Sequence, residues 1–302
     1  MTFTIVIPTY NAGSIWSDAI LAIKKQKLQA EKVVVIDSSS TDQTAQMALD
    51  AGFEVHAIDK SNFDHGGTRS AALEFVETEF VVFLTQDAVL NGSDDIARLL
   101  SVFQDQSIGA AYGRQLPHFD ANPLAIYARK NSYGNRSYVT TLMDDEPKGF
   151  RKAFMSNSFA AYRLVELKRV GGFPSKLILG EDSYVAAKML ISGAAIAYVA
   201  DAIVRHSHNY SVVEEFKRYF DIGVFHATQY WMLDQLGGVE GEGVKFALGQ
   251  VRFLISEYKF YYFFVSILTS VAKYAGYRAG RNYKLFSVGL CKKLSMYRSY
   301  WN

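Results

Sequence analysis

The 302-residue chain has one cysteine, Cys291. That excludes an internal disulfide and any cysteine-rich metal site, and it makes a reducing compartment the default. Low-complexity tracts are absent. With 49% hydrophobic and 21% charged residues this is a folded globular chain, sized for one large α/β domain with additions or for two domains. The opening "MTFTIVIPTYN" lacks the basic region, apolar core and cleavage site of a secretory leader, so a cytoplasmic setting is expected. The Gly66–Gly67 pair is not followed by the other glycines of a dinucleotide loop, and no Gly-Lys-Ser/Thr occurs. If a nucleotide binds, something else holds its phosphates.

The charge is uneven. Residues 1–243 carry 22 basic and 29 acidic residues, whereas 244–302 carry 10 basic and one acidic, with 15 of the chain's 43 aromatics. A basic, aromatic tail suits an anionic partner with an apolar edge, such as a membrane surface. Nucleic acid has the charge too, but zinc-finger spacing and an RNP-like motif are missing, so no nucleic-acid partner is expected. Within the tail, Phe260 to Leu268 is apolar or aromatic apart from Ser266, and Lys259 and Lys273 bound a gap of 13 residues. A spanning helix needs about 20 apolar residues. The run suits a buried helix, a dimer contact or a helix lying in the membrane interface.

The first 90 residues alternate strand and helix patterns. "FTIVIPTY", "KVVVID", "FEVHAI" and "EFVVFLTQDA" read as strands, with helices after Ser14, after "SSSTD" and from "GGTRSAALEFV". This predicts a parallel sheet covered on both faces, with its ligand site beyond the carboxyl ends of the strands. The polar stretches "PTYN", "DSSSTD", "SNFDHGG" and "TQDA" then converge. Beyond them come a helix over 97–106, the strand "IGAAYGRQLP", and a surface excursion over 117–149. A second compact stretch follows, then a helix from Glu181 to Gly193 and a strand from Ala194. The tail is helical, broken by a glycine-rich turn at 237–244.

Together "VIPTYN", "VVVIDSSSTDQT", "NFDHGGTRS", "VVFLTQDA", "GEDSYVAAKML" and "HSHNYS", spanning Val6 to Ser211, resemble the inverting glycosyltransferases of family 2. The branch they are most similar to is that of the bacterial rhamnosyltransferases of O-antigen and surface polysaccharide synthesis. The resemblance implies a GT-A fold with a mostly parallel central sheet. It implies a catalytic domain over 1–212, with a nucleotide-binding half at 1–115 and an acceptor-side half at 116–212. Residues 213–302 are then a helical extension for membrane association or dimerisation. The implied reaction moves L-rhamnose from dTDP-L-rhamnose to a lipid-linked (polyprenyl diphosphate) oligosaccharide, with inversion, at the cytoplasmic face of the inner membrane. Another nucleotide sugar, or a silent nucleotide- or glycan-binding protein, is the alternative.

Such a transfer has two electrostatic problems: charge growing on the leaving diphosphate, and a proton leaving the acceptor hydroxyl. A divalent cation, Mg2+ or Mn2+, meets the first, and a positioned carboxylate meets the second. Family members carry Asp-x-Asp after the fourth strand; here Thr85-Gln86-Asp87 stands there, so Asp87 matches the metal-binding position with fewer carboxylates beside it. By the resemblance His206 completes the metal shell, with His208 as the alternate. Asp37 takes the base, and Pro8, Thr9, Tyr10 and Gln86 line the nucleotide pocket. Arg69 meets phosphate or holds Asp37, while Asp64 and His65 border the sugar. Of the adjacent Glu181 and Asp182, the second is the expected catalytic base and the first its brace.

Overall fold

A computed structural model describes residues 1–238 and 241–302. Its strands are β1 (Phe3–Thr9), β2 (Lys32–Asp37), β3 (Glu54–Ala57), β4 (Phe80–Leu84), β5 (Val89–Leu90), β6 (Ile108–Leu116), β7 (Tyr138–Thr140), β8 (Phe159–Arg163) and β9 (Ala195–Arg205). They form one sheet in the order β3-β2-β1-β4-β8-β6-β9-β5, with β7 on β9. The strands β3, β2, β1 and β4 pair in parallel as expected. The rest is mixed: β8 runs antiparallel between β4 and β6, and β6 returns to a parallel pairing with β9. The physical reason lies in the connection. β8 comes back beside β6 after a long excursion that does not cross the sheet to restart at the same end, so the two run antiparallel.

Alternate residues of each strand enter different cores. Val6, Val81 and Phe83 face one apolar cluster, while Ile5, Ile7, Phe80, Val82 and Leu84 face the other. This period of two, with apolar residues on both sides, is what a sheet sandwiched between helices requires. On the second face α1 (Ile15–Lys24), α2 (Thr44–Asp50) and, further on, Ile96 and Leu99 of the helix Asp95–Ser101 pack with Trp16, Ile20 and Ala48. On the first face lie α3 (His65–Ala72) and, after α4 (Asp95–Ser101) and α5 (Pro123–Ser132) in the chain, α6 (Leu164–Arg169) and α7 (Glu181–Ile191). The excursion over 117–149 thus contains a helix and the short β7.

The C-terminal helices are α8 (Val212–Thr228), α9 (Tyr230–Leu236), α10 (Glu242–Ser256), α11 (Phe260–Arg281) and α12 (Val288–Leu294). A capping box starts α8: Ser211 Oγ accepts from the Glu214 N–H, and the Glu214 carboxylate accepts from the Ser211 N–H. The single helical pattern read over 212–236 breaks at Gln229. Of the expected glycine-rich turn, residues 239 and 240 lie outside the described residues. Phe220, Val224, Phe225 and Cys291 join the first-face core, so the extension packs on the sheet layer that carries α7.

Candidate functional site

At the ends of β1, β2 and β4 the polar stretches meet as expected. Asp37 closes β2 and is buried. Its carboxylate accepts from Thr9 Oγ1 (2.9 Å), the Ser40 N–H (2.9 Å) and Ser40 Oγ (2.6 Å). Pro8 lies opposite Ile36 in the β1–β2 register. Tyr10 and Gln86 clasp each other: the Tyr10 N–H donates to Gln86 Oε1 (2.7 Å), and Gln86 Nε2 donates to the Tyr10 carbonyl (3.1 Å). Lys60 Nζ donates to the Tyr10 hydroxyl at 2.6 Å and lies 4.1 Å above its ring. The result is a rim with a fixed buried acceptor and a half-exposed aromatic ring.

Beside this rim Asp87, His206 and His208 offer ligand atoms that all lie within 4.8 Å of one another. Asp87 follows β4 and both histidines follow β9, with β8 and β6 lying between those two strands in the sheet. His206 Nε2 is 3.4 Å and His208 Nε2 3.8 Å from Asp87 Oδ2. His208, the alternate ligand on sequence grounds, therefore stands with His206. Burial pushes the Asp87 carboxyl up, but His206, His208 and the Thr85 hydroxyl outweigh it and hold the group well below the usual carboxylate range. Burial and the neighbouring His206 push the His208 imidazole down to about 4.

The ring of His206 is oriented from behind. Its Nδ1 is 3.0 Å from Gln115 Oε1, which also accepts from Arg129 (2.7 Å), while Gln115 Nε2 donates to Ser156 Oγ (2.9 Å). An oxygen already receiving an Arg N–H can only accept, so His206 donates from Nδ1 and presents the Nε2 lone pair to the triad. One carboxylate and two imidazoles suit a borderline ion such as Mn2+ better than Mg2+, which prefers an oxygen shell, and three ligands leave positions for phosphate oxygens. An open cavity of about 350 Å³ lies over the triad, lined by Asp87, His118, Asp120, His208 and Tyr210 among others.

A carboxylate pair, Glu181 and Asp182, starts α7. Gly180 precedes it with φ +81, and a Cβ there would lie 2.9 Å from the Phe225 ring, so a side chain is excluded by both conformation and space. Glu181 is buried against Arg69, with the guanidinium 3.1 Å from Oε1. Burial opposes its charge, but Arg69 and His65 outweigh it, and the carboxyl stays below its usual range. Asp182 accepts from the Asn157 N–H (3.2 Å) and from its neighbour Ser183 (2.7 Å). Burial and the adjacent Glu181 charge push its carboxyl up to about 7. A carboxylate poised there can take a proton at neutral pH.

Two residues of "DHGGTR", Arg69 and His65, act on the charge of Glu181. Arg69 binds Glu181 and the His65 carbonyl; the structure does not bring it to Asp37. The Asp64 carboxylate caps α3 at the Gly67 N–H and accepts from the Lys176 N–H at 3.0 Å, so both oxygens are engaged. His65 is largely enclosed and meets the Tyr297 ring edge-on at 4.8 Å. Sequence reasoning missed Gln115, Asn157 and Arg218. Arg218 makes no ion pair within 4 Å among the described residues, although Glu215 and Asp221 lie near enough to attract it. It lies 5.5 Å over the Tyr210 ring, which is 5.2 Å from the His208 ring. A polar pair, Arg114 and Gln115, near the end of a mostly apolar strand is the signal that could have drawn attention to Gln115.

Comparison with known proteins fits this arrangement. The family model described as Glycosyl transferase family 2 matches residues 4–171. The chain is 46% identical over 304 residues to the O-antigen chain rhamnosyltransferase RfbN of Salmonella typhimurium, covering all of this chain and 96% of the relative. It is 45% identical over 303 residues to the O-antigen chain rhamnosyltransferase WbaN of Salmonella anatum, with the same coverage. Among solved structures, the mannosyltransferase PcManGT of Pyrobaculum calidifontis, in complex with GDP-Man and Mn2+, superposes with a TM-score of 0.59 at 17% identity. That match covers 99% of this chain and 84% of that one, and it bears on the fold alone.

Proposed function

The chain belongs to glycosyl transferase family 2 and is a glycosyltransferase, and on that premise we propose that it transfers L-rhamnose from dTDP-L-rhamnose to a lipid-linked oligosaccharide during O-antigen synthesis. Full-length similarity to two O-antigen chain rhamnosyltransferases carries the sugar and the pathway. Asp37 accepts from the pyrimidine ring N–H, with Pro8, Thr9, Tyr10 and Gln86 around the base. Asp87, His206 and His208 hold a divalent cation, with Mn2+ favoured by the two imidazoles. That ion, when bound, supplies positive charge against the departing diphosphate. Arg218 adds a second positive charge on the Tyr210 side.

Asp182 performs the chemical step. Its carboxylate takes the acceptor hydroxyl proton while that oxygen forms its bond to the anomeric carbon. The bond to the diphosphate breaks on the opposite face, and the diphosphate leaves with the electron pair, so the anomeric centre inverts. No second carboxylate is needed, unlike the paired plan of retaining hydrolases. Glu181, paired to Arg69, remains charged and raises the proton affinity of Asp182. The acceptor hangs from a polyprenyl diphosphate at the cytoplasmic face of the inner membrane.

Calorimetric titration with dTDP, UDP and GDP in the presence of Mn2+ tests the donor, followed by turnover from a panel of nucleotide sugars. Binding of dTDP at roughly 1 μM to 1 mM is expected, weakened by Asp37→Ala. A clear preference for GDP overturns the donor assignment.

A further inference from the structure

The aromatic run of the tail lies in α11, and one side of that helix is fully engaged. Ser266, Thr269, Gly276 and Gly280 are buried. A Cβ at Gly276 or Gly280 would come within 2.3 or 2.0 Å of the Phe216 or Phe220 carbonyl oxygen of α8. The two helices therefore meet backbone against backbone. The opposite side has no cover: Phe260, Tyr261, Phe264, Leu268, Val271 and Tyr274 are each 60% to 73% exposed. Their spacing puts them on one face of the helix, about 21 Å long at 1.5 Å per residue. Soluble monomers rarely leave so long an apolar stripe to water.

The margins of the stripe select its occupant. Lys259 stands at one end and Arg278 at the other, with Lys284 just beyond, all exposed. A second copy docked on this face would bring the same basic margin, in a region with 10 basic residues and one acidic, and like charges across an interface are costly. An anionic bilayer offers the opposite charge outside and hydrocarbon within. Tyrosine and phenylalanine rings suit the boundary between the two. Among the described residues no helix is long and apolar enough to cross a membrane.

We propose that the outer face of α11 lies flat in the interface of an anionic lipid bilayer, with its aromatic and aliphatic side chains in the acyl boundary and its basic residues among the headgroups. This rests on the reading of the acceptor as lipid-linked. Its consequence runs through α8, which begins at Val212 just after the His206–His208 segment and carries Arg218 toward Tyr210. Because α11 is seated on α8 without intervening side chains, docking fixes the height and tilt of the cavity above the membrane.

The test is flotation of the full chain with vesicles of phosphatidylethanolamine and phosphatidylglycerol, beside vesicles of phosphatidylcholine alone. Wild type is compared with a stripe variant (Phe264→Ser, Leu268→Ser, Val271→Ser) and a margin variant (Lys259→Gln, Arg278→Gln, Lys284→Gln). Circular dichroism and a dTDP titration accompany each. Expected is binding to the anionic vesicles that weakens with salt, a loss of about tenfold or more in the stripe variant, and a loss of salt sensitivity in the margin variant. Three outcomes overturn the proposal: folded wild type that stays off anionic vesicles at low salt, a stripe variant that binds as well as wild type, or a wild-type dimer by light scattering that the stripe variant converts to monomer. A chain that floats but does not bind dTDP would refute the donor reading and leave the docking surface standing.

Discussion

The two edges of the site treat an aspartate in opposite ways. Asp87 faces two imidazoles, and its carboxyl is held far down; Asp182 faces a buried glutamate, and its carboxyl is pushed up to about 7. Both are enclosed and both meet only a few polar groups, so burial alone does not separate them. Their neighbours do: the histidines beside Asp87 favour its charged form, first by hydrogen bonding, and the Glu181 charge beside Asp182 disfavours it. A carboxylate that stays ionised is a ligand; one that titrates near neutrality is a proton acceptor. The contrast suits the two proposed roles, ligand and proton acceptor, and it can be broken at either end.

The largest effect is expected from Asp182→Asn, which keeps shape and removes the proton acceptor. Turnover with a competent acceptor should fall by roughly 10²- to 10⁴-fold, with dTDP affinity unchanged by calorimetry. Wild-type turnover in this variant would move the base elsewhere. Next in size is Gln115→Leu. It leaves every ligand atom in place but frees the His206 ring, so Mn2+ affinity should weaken by about 10- to 100-fold. Saturating Mn2+ should restore most of the turnover. A Gln115→Leu protein with wild-type Mn2+ affinity would show that the ring needs no such support.

A smaller effect separates the two edges by pH. Below about pH 7 Asp182 holds a proton, so turnover should drop about tenfold for each further pH unit and level off above. Glu181→Gln removes the adjacent negative charge and frees Arg69, and both changes favour ionised Asp182. The bend in the profile should therefore move to lower pH, measured as log kcat/KM against pH, which reports the free enzyme. A bend that stays in place would locate the controlling group outside this pair.

The strands and their polar ends were legible in the sequence because buried strands show as short β-branched runs, and a parallel sheet gathers its carboxyl ends. Asp37 and Asp87 were read at strand ends that way; His206 and Asp182 came from the family resemblance, which supplied the expected roles of all four. Gln115 could not be read: it meets His206 across 91 positions, and nothing local marks the pairing. The mixed half of the sheet was illegible for a similar reason, since the direction of β8 is set by a long excursion with weak periodicity. In the tail the apolar run was plain, but which of its residues face α8 depends on Gly276 and Gly280, whose close approach appears only once both helices are in place.

The smallest effect concerns stability. A carboxyl raised from the ordinary 3.8 to about 7 keeps its proton in the folded chain after the unfolded chain has released it. Across that window folding binds a proton, so stability falls as pH rises from about 4 to about 7, and the whole penalty is present above 7. The Asp182→Asn side chain cannot ionise and carries no such penalty. One of its two oxygens becomes an amide nitrogen, which loses part of the acceptance from Asn157 and Ser183 at every pH. The cost of that loss is the same at pH 4 and pH 8, whereas the relief of the penalty appears only at pH 8. The variant should therefore gain roughly 5–7 °C in melting temperature over wild type at pH 8 relative to the same comparison at pH 4, read by scanning calorimetry. An equal shift at both pH values would mean that Asp182 is not held protonated by its neighbour, and the contrast between the two edges of the site would lose its electrostatic basis.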